Sequence, residues 1–207
     1  MSDSAYSITA GISAILLAVL FPIVWLAIPF SMLDGDIEHE IMKDLMTLSV
    51  SDLLFIITGA LEVYVFIALR SLCKDLINGK GLEWIINIQI GCLILLYSSA
   101  CLNVGVALLD PETASTVMEL ILGSYIVFMI TMSFVVSLLT LVIGVLLLQF
   151  WQTLETSLRA FSILLVMSGI FFISVIFAFA ATLLYSVALI TFAFYLLGSS
   201  RSTVEVV

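Results

Sequence analysis

Carboxylates near the start of the chain form its densest group of side chains that could do chemistry. Residues 34–44 read DGDIEHEIMKD, with five carboxylates, one Lys and the only His of the chain. On a helix Asp36, His39 and Glu40 would share one face, and this spacing makes an outer cation site one interpretation. An EF-hand calcium loop does not fit, because its sixth position must be Gly and its twelfth must be Glu.

A structural interpretation explains the same stretch better. Ile37, Ile41, Leu45 and Leu48 recur every three or four residues, which is typical of one apolar edge of a helix. Acidic residues in the first turn suit the positive end of the helix dipole. We therefore expect residues 36–47 to be helical, continuous with the apolar segment that follows, and without a bound metal.

Glu62 is the one carboxylate deep inside an apolar segment, in the stretch ITGALEVYVF. An ionised side chain at the centre of a bilayer is costly, so such a group must be neutral, paired or facing water. Five of the six Lys and Arg residues lie outside the apolar segments, and the sixth, Arg159, lies at the very end of the fifth segment. We therefore expect Glu62 to be a neutral acid that donates a hydrogen bond to the next helix.

Other polar side chains fall at depths where they would meet Glu62 or its helix. If the second and third apolar segments run antiparallel, Glu62 lies near the level of Gly91 and Cys92. The pattern predicts a polar seam between these segments, formed by Asp52, Thr58, Glu62, Asn87, Gln89 and Asn103. Such a seam is either interhelical hydrogen bonding or a path for protons or ions.

Several kinds of reactive site are excluded by residue type. A single His rules out a haem with two His ligands and a multi-histidine zinc or copper site in one chain. The three Lys residues lie outside the apolar segments, so none can carry a buried Schiff base. Neither a phosphate-binding Gly loop nor a G-x-S-x-G motif occurs. We expect no cofactor, no metal and no enzymatic activity.

The composition identifies the class of protein. Of its 207 residues, 63% are hydrophobic and 10% are charged, whereas soluble domains carry roughly 25% charged residues. Only an integral membrane protein, with the lipid bilayer as its partner, fits these values. The net charge of −9 argues against nucleic acid as a partner.

The apolar segments predict an all-α, polytopic membrane bundle that forms a single domain over residues 1–207. Runs of about 20 apolar residues are long enough to cross a bilayer. Six transmembrane helices are favoured, at about 8–33, 48–69, 84–109, 120–150, 158–177 and 181–198.

The last two predicted spans can also be interpreted as one long helix, which gives a five-span alternative. The Ala-rich patch AFAAT at 178–182 is the expected turn in the six-span arrangement. Small residues at a spacing of four argue instead for one continuous helix with a packing face: Ser174, Ala178, Thr182 and Ser186. In the fourth segment, small residues also indicate close helix packing: Ser133, Ser137, Thr140 and Gly144.

Loop charges predict the orientation in a plasma or inner membrane. Lys and Arg accumulate on the cytoplasmic side of membrane proteins. Arg70, Lys74, Lys80 and Arg159 would share one side, and only Lys43 would lie on the other. We therefore expect a cytoplasmic N-terminus, acidic outer loops and, with six spans, a cytoplasmic C-terminus.

Three classes of function remain. The protein could act through helix contacts with another membrane protein or with itself, as an accessory subunit, an immunity protein or a regulator. It could be a small proton- or cation-coupled transporter or channel that uses Glu62 and Asp52. An intramembrane enzyme is disfavoured by the exclusions above. The sequence favours helix contacts, because it lacks the paired broken helices that many transporters show.

Overall fold

The computed structural model describes residues 3–31, 50–77, 80–109, 111–174 and 176–202. Seven helices occur in these ranges and no strand does. They are α1 (Asp3–Ser31), α2 (Val50–Ile77), α3 (Lys80–Ser98), α4 (Ala100–Ala107), α5 (Pro111–Gln149), α6 (Thr156–Ile173) and α7 (Ala178–Ser202).

Six spans are long and apolar enough to cross a membrane in the described part of the chain. Spans 1 and 2 lie in α1 and α2, span 3 comprises α3 and α4, and spans 4 to 6 lie in α5 to α7. Their bounds are Ala5–Leu26, Val50–Asp75, Lys80–Val106, Ile121–Gln149, Thr156–Ile173 and Ala178–Gly198. The prediction of an all-α bundle with six spans is confirmed, and the molecule is a multi-span membrane protein.

The break between spans 5 and 6 lies earlier than expected. Helix α6 ends at Ile173 and α7 begins at Ala178, so both the turn predicted at 178–182 and the continuous helix were wrong. Alanine is the strongest helix former, and the Ala-rich patch therefore begins a helix. The Ser174 hydroxyl, in contrast, donates a 2.9 Å hydrogen bond to the Phe171 carbonyl, a local bond that competes with helix continuation.

The six spans form a closed ring in chain order. Each span packs against the next one along the chain, and span 6 packs against span 1 with the most extensive contact of all. Polar contacts accompany the closure, since the Ser7 hydroxyl of span 1 donates a 2.6 Å hydrogen bond to the Leu196 carbonyl of span 6. The inner faces of all six spans therefore meet around one central axis.

Glycines allow the close approach of spans 4 and 5. A Cβ atom added to Gly144 would lie 2.9 Å from the backbone nitrogen of Val166. One added to Gly169 would lie 2.9 Å from the Cα atom of Leu141. Small residues let membrane helices approach closely and gain dispersion contacts, as predicted for Gly144 from its spacing.

Replacement of Gly144 by Ala is expected to destabilise the bundle by about 1–2 kcal/mol, because the added methyl group forces α5 away from α6. The matched control is Gly91→Ala, where an added Cβ meets no atom within 4 Å and the helix gains propensity. The measurement is the midpoint of thermal unfolding in detergent. Equal midpoints for the two variants would contradict the close packing of spans 4 and 5.

Candidate functional site

Glu62 joins three spans at the centre of the ring. Its side chain is only 3% exposed. The Tyr97 hydroxyl of span 3 donates to Glu62 Oε2 over 2.6 Å, and the Tyr185 hydroxyl of span 6 donates to Oε1 over 2.7 Å. Spans 2 and 6 are not neighbours in the ring, so the bond to Tyr185 crosses its interior.

The partner of Glu62 in span 3 differs from the predicted one because α2 ends later and α3 begins earlier than the sequence suggested. Helix α2 ends at Ile77 and α3 begins at Lys80, whereas the sequence suggested a long loop over residues 70–83. In an antiparallel pair of helices, the midpoint of the connection decides which residues lie opposite each other. When this midpoint moves towards the C-terminus, a residue of the first helix lies opposite a residue further along the second helix. Tyr97 therefore meets Glu62, and the predicted level of Gly91 and Cys92 was wrong.

Gly59 makes the space that Tyr97 occupies. It lies three residues before Glu62 on α2, and a Cβ atom added there would overlap the Tyr97 ring. The ring thus lies directly against the helix backbone, and from this position its hydroxyl reaches the carboxyl group. Gly59 is a positioning residue for the Glu62–Tyr97 hydrogen bond.

The two tyrosines that bind Glu62 belong to one connected group of aromatic rings, the aromatic shell. The ring centroids of Phe21 and Tyr185 are 4.7 Å apart, as are those of Phe55 and Tyr97. Trp25 connects the two pairs, with centroid distances of 5.9 Å to Phe21 and 6.4 Å to Phe55. The shell comprises Phe21, Trp25, Phe55, Tyr97, Phe172 and Tyr185.

A cavity of about 50 Å³ lies inside the ring, which is room for roughly three to five water molecules. All six spans contribute to its wall, and Glu62 is the one acidic residue among the lining residues. The wall consists of Phe21, Trp25, Glu62, Leu93, Leu96, Tyr97, Ser133, Val136, Ser137, Thr140, Phe172 and Tyr185. The site is therefore an apolar chamber with one carboxyl group.

Span 4 supplies the hydroxyl groups of the cavity wall. Ser137 and Thr140 donate their protons to carbonyls of their own helix, at 2.7 and 2.9 Å. Thr140 Oγ1 also accepts a 3.3 Å hydrogen bond from Gln89 Nε2. Sequence spacing suggested that these residues serve helix packing, which is true of Gly144, but Ser137 and Thr140 line the chamber.

The predicted polar seam is only partly brought together. Thr58 is fully buried one turn from Glu62, and its hydroxyl has no hydrogen-bond partner among the described residues. Gln89 is also fully buried, but it donates a 3.3 Å hydrogen bond to Thr140 of span 4. Asn87 is exposed, so its predicted place in a buried seam was wrong.

Two further residues of the seam lie apart from the carboxyl group. Asp52 is buried and has an interaction of its own near the start of α2. Asn103 lies in α4, but its side chain is not among those that the structure describes. The acidic stretch before span 2, with Asp36, His39, Glu40 and the predicted helix 36–47, also lies outside the described residues. Within the described part, no group of three or more His, Cys, Asp or Glu side chains could hold a metal ion.

Sequence reasoning missed both tyrosines that bind Glu62, although a signal was present. Each tyrosine lies in the tetrapeptide LLYS, which occurs at 95–98 and again at 183–186. A tyrosine inside a span needs a partner for its hydroxyl group. Two such tyrosines in the same local sequence, in a chain with one deep acid, indicate a shared acceptor.

No protein-family model matches this chain, and comparison with curated proteins and with solved structures also finds no match. The central cavity and its carboxyl group are therefore what points to a function.

Proposed function

We propose that the protein is a small membrane transporter that exchanges protons for a cation at Glu62. One observation carries the proposal: Glu62 lies in a cavity at the centre of a closed ring to which all six spans contribute. A carboxyl group that served only as a contact between helices would not need a chamber beside it. The cavity thus favours transport over the helix-contact function that the sequence alone favours.

The surroundings of Glu62 suit both its protonated and its ionised form, and exchange of a proton for a cation requires both. A carboxyl group without a nearby cation is favoured as the neutral acid in an apolar chamber. When a cation occupies the chamber, the ionised form receives two short hydrogen bonds from Tyr97 and Tyr185, and such charge-assisted bonds are strong. In the empty, protonated site one carboxyl oxygen carries the proton and can donate it to a tyrosine hydroxyl, while the other oxygen accepts from the second tyrosine. In the occupied, ionised site both oxygens accept.

Asp52 extends the proposed path towards one face of the membrane. It lies ten residues before Glu62 on α2, which corresponds to about 15 Å along the helix. Near the end of the span a carboxylate is less costly than at its centre. In the proposal, Asp52 attracts cations at the entrance and Glu62 binds them inside.

The proposal is non-enzymatic. The lining residues provide one carboxyl group, two phenols and three hydroxyl groups. None of these lining residues is a His, Cys or Lys, and covalent catalysis generally relies on a nucleophile activated by an adjacent base. Binding and release of a proton is the chemistry that these residues support.

Proton movement in liposomes tests the proposal. We expect wild-type protein to change the internal pH, read with an entrapped dye, when gradients of Na⁺, K⁺ or choline are imposed with or without a membrane potential. Glu62→Gln keeps the size and a hydrogen-bond donor but cannot release a proton, so the movement should fall to the level of protein-free liposomes. Glu155→Gln removes a carboxyl group from an exposed loop residue and should leave the movement unchanged. Absence of Glu62-dependent proton movement under all these gradients would refute transport.

A specific surface supports a helix-contact function as the second candidate. Span 4 is the least buried of the six spans: only 17% of the residues in its most apolar stretch are buried inside the bundle. Its outward side chains include Val127, Ile130 and Phe134, each more than half exposed. Such a face contacts either lipid or another protein, and native mass spectrometry of the detergent-solubilised protein distinguishes a monomer from a self-assembly.

A further inference from the structure

We infer that the cation bound beside Glu62 is organic, a compact amine or quaternary ammonium ion with apolar substituents. The inference rests on the proposed function, since it names the cation that the same chamber takes. The juxtaposition that carries it is one carboxyl group in a cavity lined by five aromatic rings.

Five of the twelve residues that line the cavity are aromatic. Phe21, Trp25, Tyr97, Phe172 and Tyr185 all line the cavity that Glu62 enters. The face of an aromatic ring attracts a cation within about 6 Å of its centroid, and this attraction grows when water is excluded. Cages of several rings are how proteins recognise ammonium groups that carry methyl substituents. The carboxylate adds the opposite charge.

Inorganic cations fit the chamber less well. Calcium and magnesium take six or more oxygen ligands in hard, polar sites. Here both carboxyl oxygens already accept hydrogen bonds from tyrosines, and most of the lining is carbon. Ser133, Ser137 and Thr140 add three hydroxyl oxygens, all from span 4, and those of Ser137 and Thr140 already donate hydrogen bonds to carbonyls of their own helix. An ion that carries its own apolar substituents needs no such ligands.

The size of the chamber sets the size of the ion. A volume of about 50 Å³ corresponds to roughly three to five water molecules. An ammonium centre with a few methyl or methylene groups occupies a similar space. Larger ions would require the aromatic shell to open.

Charge balance couples binding to proton release. The empty site holds a neutral carboxyl group, and the occupied site holds a carboxylate with one cation, so one proton leaves Glu62 to the solvent for each ion bound. The titratable groups that face Glu62 are Tyr97 from span 3 and Tyr185 from span 6. The lining residues from spans 1, 4 and 5 do not titrate. Affinity for the ion should therefore rise with pH.

Binding of choline and of its neutral isostere 3,3-dimethylbutan-1-ol tests the inference in detergent micelles. Trp25 lines the cavity, whereas Trp84 and Trp151 are exposed. In a Trp84→Phe, Trp151→Phe background, Trp25 is the one indole fluorophore. We expect choline to change its emission saturably, with an affinity at least tenfold greater than that of the isostere and increasing with pH.

Two variants test whether the Glu62 carboxyl group is responsible for choline binding. Glu62→Gln in the same background should weaken choline binding at least tenfold, and Glu155→Gln should leave it unchanged. Equal binding of choline and the isostere would overturn the inference without any variant, so the test does not depend on whether Glu62→Gln folds. Choline binding that is unaffected in folded Glu62→Gln would overturn it as well.

The outcomes separate this inference from the proposed function. Glu62-dependent choline binding without proton movement in liposomes would refute transport and retain the organic ligand. Glu62-dependent proton movement driven by Na⁺ or K⁺, without choline binding, would retain transport and refute the organic ligand.

Discussion

Replacement of Glu62 by Leu is expected to lower the free energy of unfolding by about 2–4 kcal/mol. The substitution removes two interhelical hydrogen bonds and leaves the hydroxyl groups of Tyr97 and Tyr185 buried without their acceptor. A buried polar group that loses its partner costs about 1–3 kcal/mol, and an interhelical bond in a membrane contributes about 0.6 kcal/mol on average. Glu62→Gln keeps both contacts in altered form and should cost less than half as much.

Thermal unfolding in detergent measures the effect, and a combined variant tests its cause. Replacing all partners of a hydrogen bond by apolar groups of similar shape is less costly than orphaning one of them. Glu62→Leu combined with Tyr97→Phe and Tyr185→Phe should therefore be more stable than Glu62→Leu alone. If Glu62→Leu unfolds at the wild-type temperature, the carboxyl group does not hold the three spans together.

Gly59→Ala is expected to destabilise the protein by about 3 kcal/mol, more than most substitutions of Gly by Ala. The added methyl group would occupy the position of the Tyr97 ring, and overpacking of a well-packed site typically costs about 1–3 kcal/mol. Displacement of the ring also takes its hydroxyl away from Glu62. The contact between spans 2 and 3 and the central hydrogen bond should therefore weaken together.

A double-mutant cycle separates this clash from other effects of the substitution. In a Tyr97→Ala background the ring is absent, so Gly59→Ala should cost nothing and gain some helix propensity. The coupling energy between the two positions is obtained from four unfolding midpoints with their enthalpies. A destabilisation of the same size in both backgrounds would show that Gly59 does not act by making room for Tyr97.

The approximate places of the first four spans follow from composition, because hydropathy over about 20 residues is a local property, but hydropathy alone left five spans as an alternative to six. The need of Glu62 for a partner also follows locally, since its cost in a bilayer depends on its own surroundings. The identity of that partner in span 3 depends on register, that is, on the positions at which α2 ends (Ile77) and α3 begins (Lys80). Hydropathy does not locate the end of a helix to within one turn. The prediction that Glu62 lies near the level of Gly91 and Cys92 was therefore wrong.

The bond to Tyr185 was beyond sequence reasoning for a different reason. It joins residues 123 positions apart across a ring whose closure depends on the packing of span 6 against span 1. Helical periodicity describes the faces of single helices and says nothing about which distant faces meet. The cavity likewise arises from six inner faces together, and no single segment of the sequence encodes it.

The order of the ring has a consequence for biosynthesis. Because neighbours in the ring are neighbours along the chain, each new span can dock on the preceding one as it enters the bilayer. Glu62 enters with the second span, but Tyr185 arrives 123 residues later. During that interval one carboxyl oxygen lacks its tyrosine, and the side of span 1 that later receives span 6 remains uncovered. Entry of the sixth span closes the ring and completes the hydrogen bonding of Glu62 in the same step.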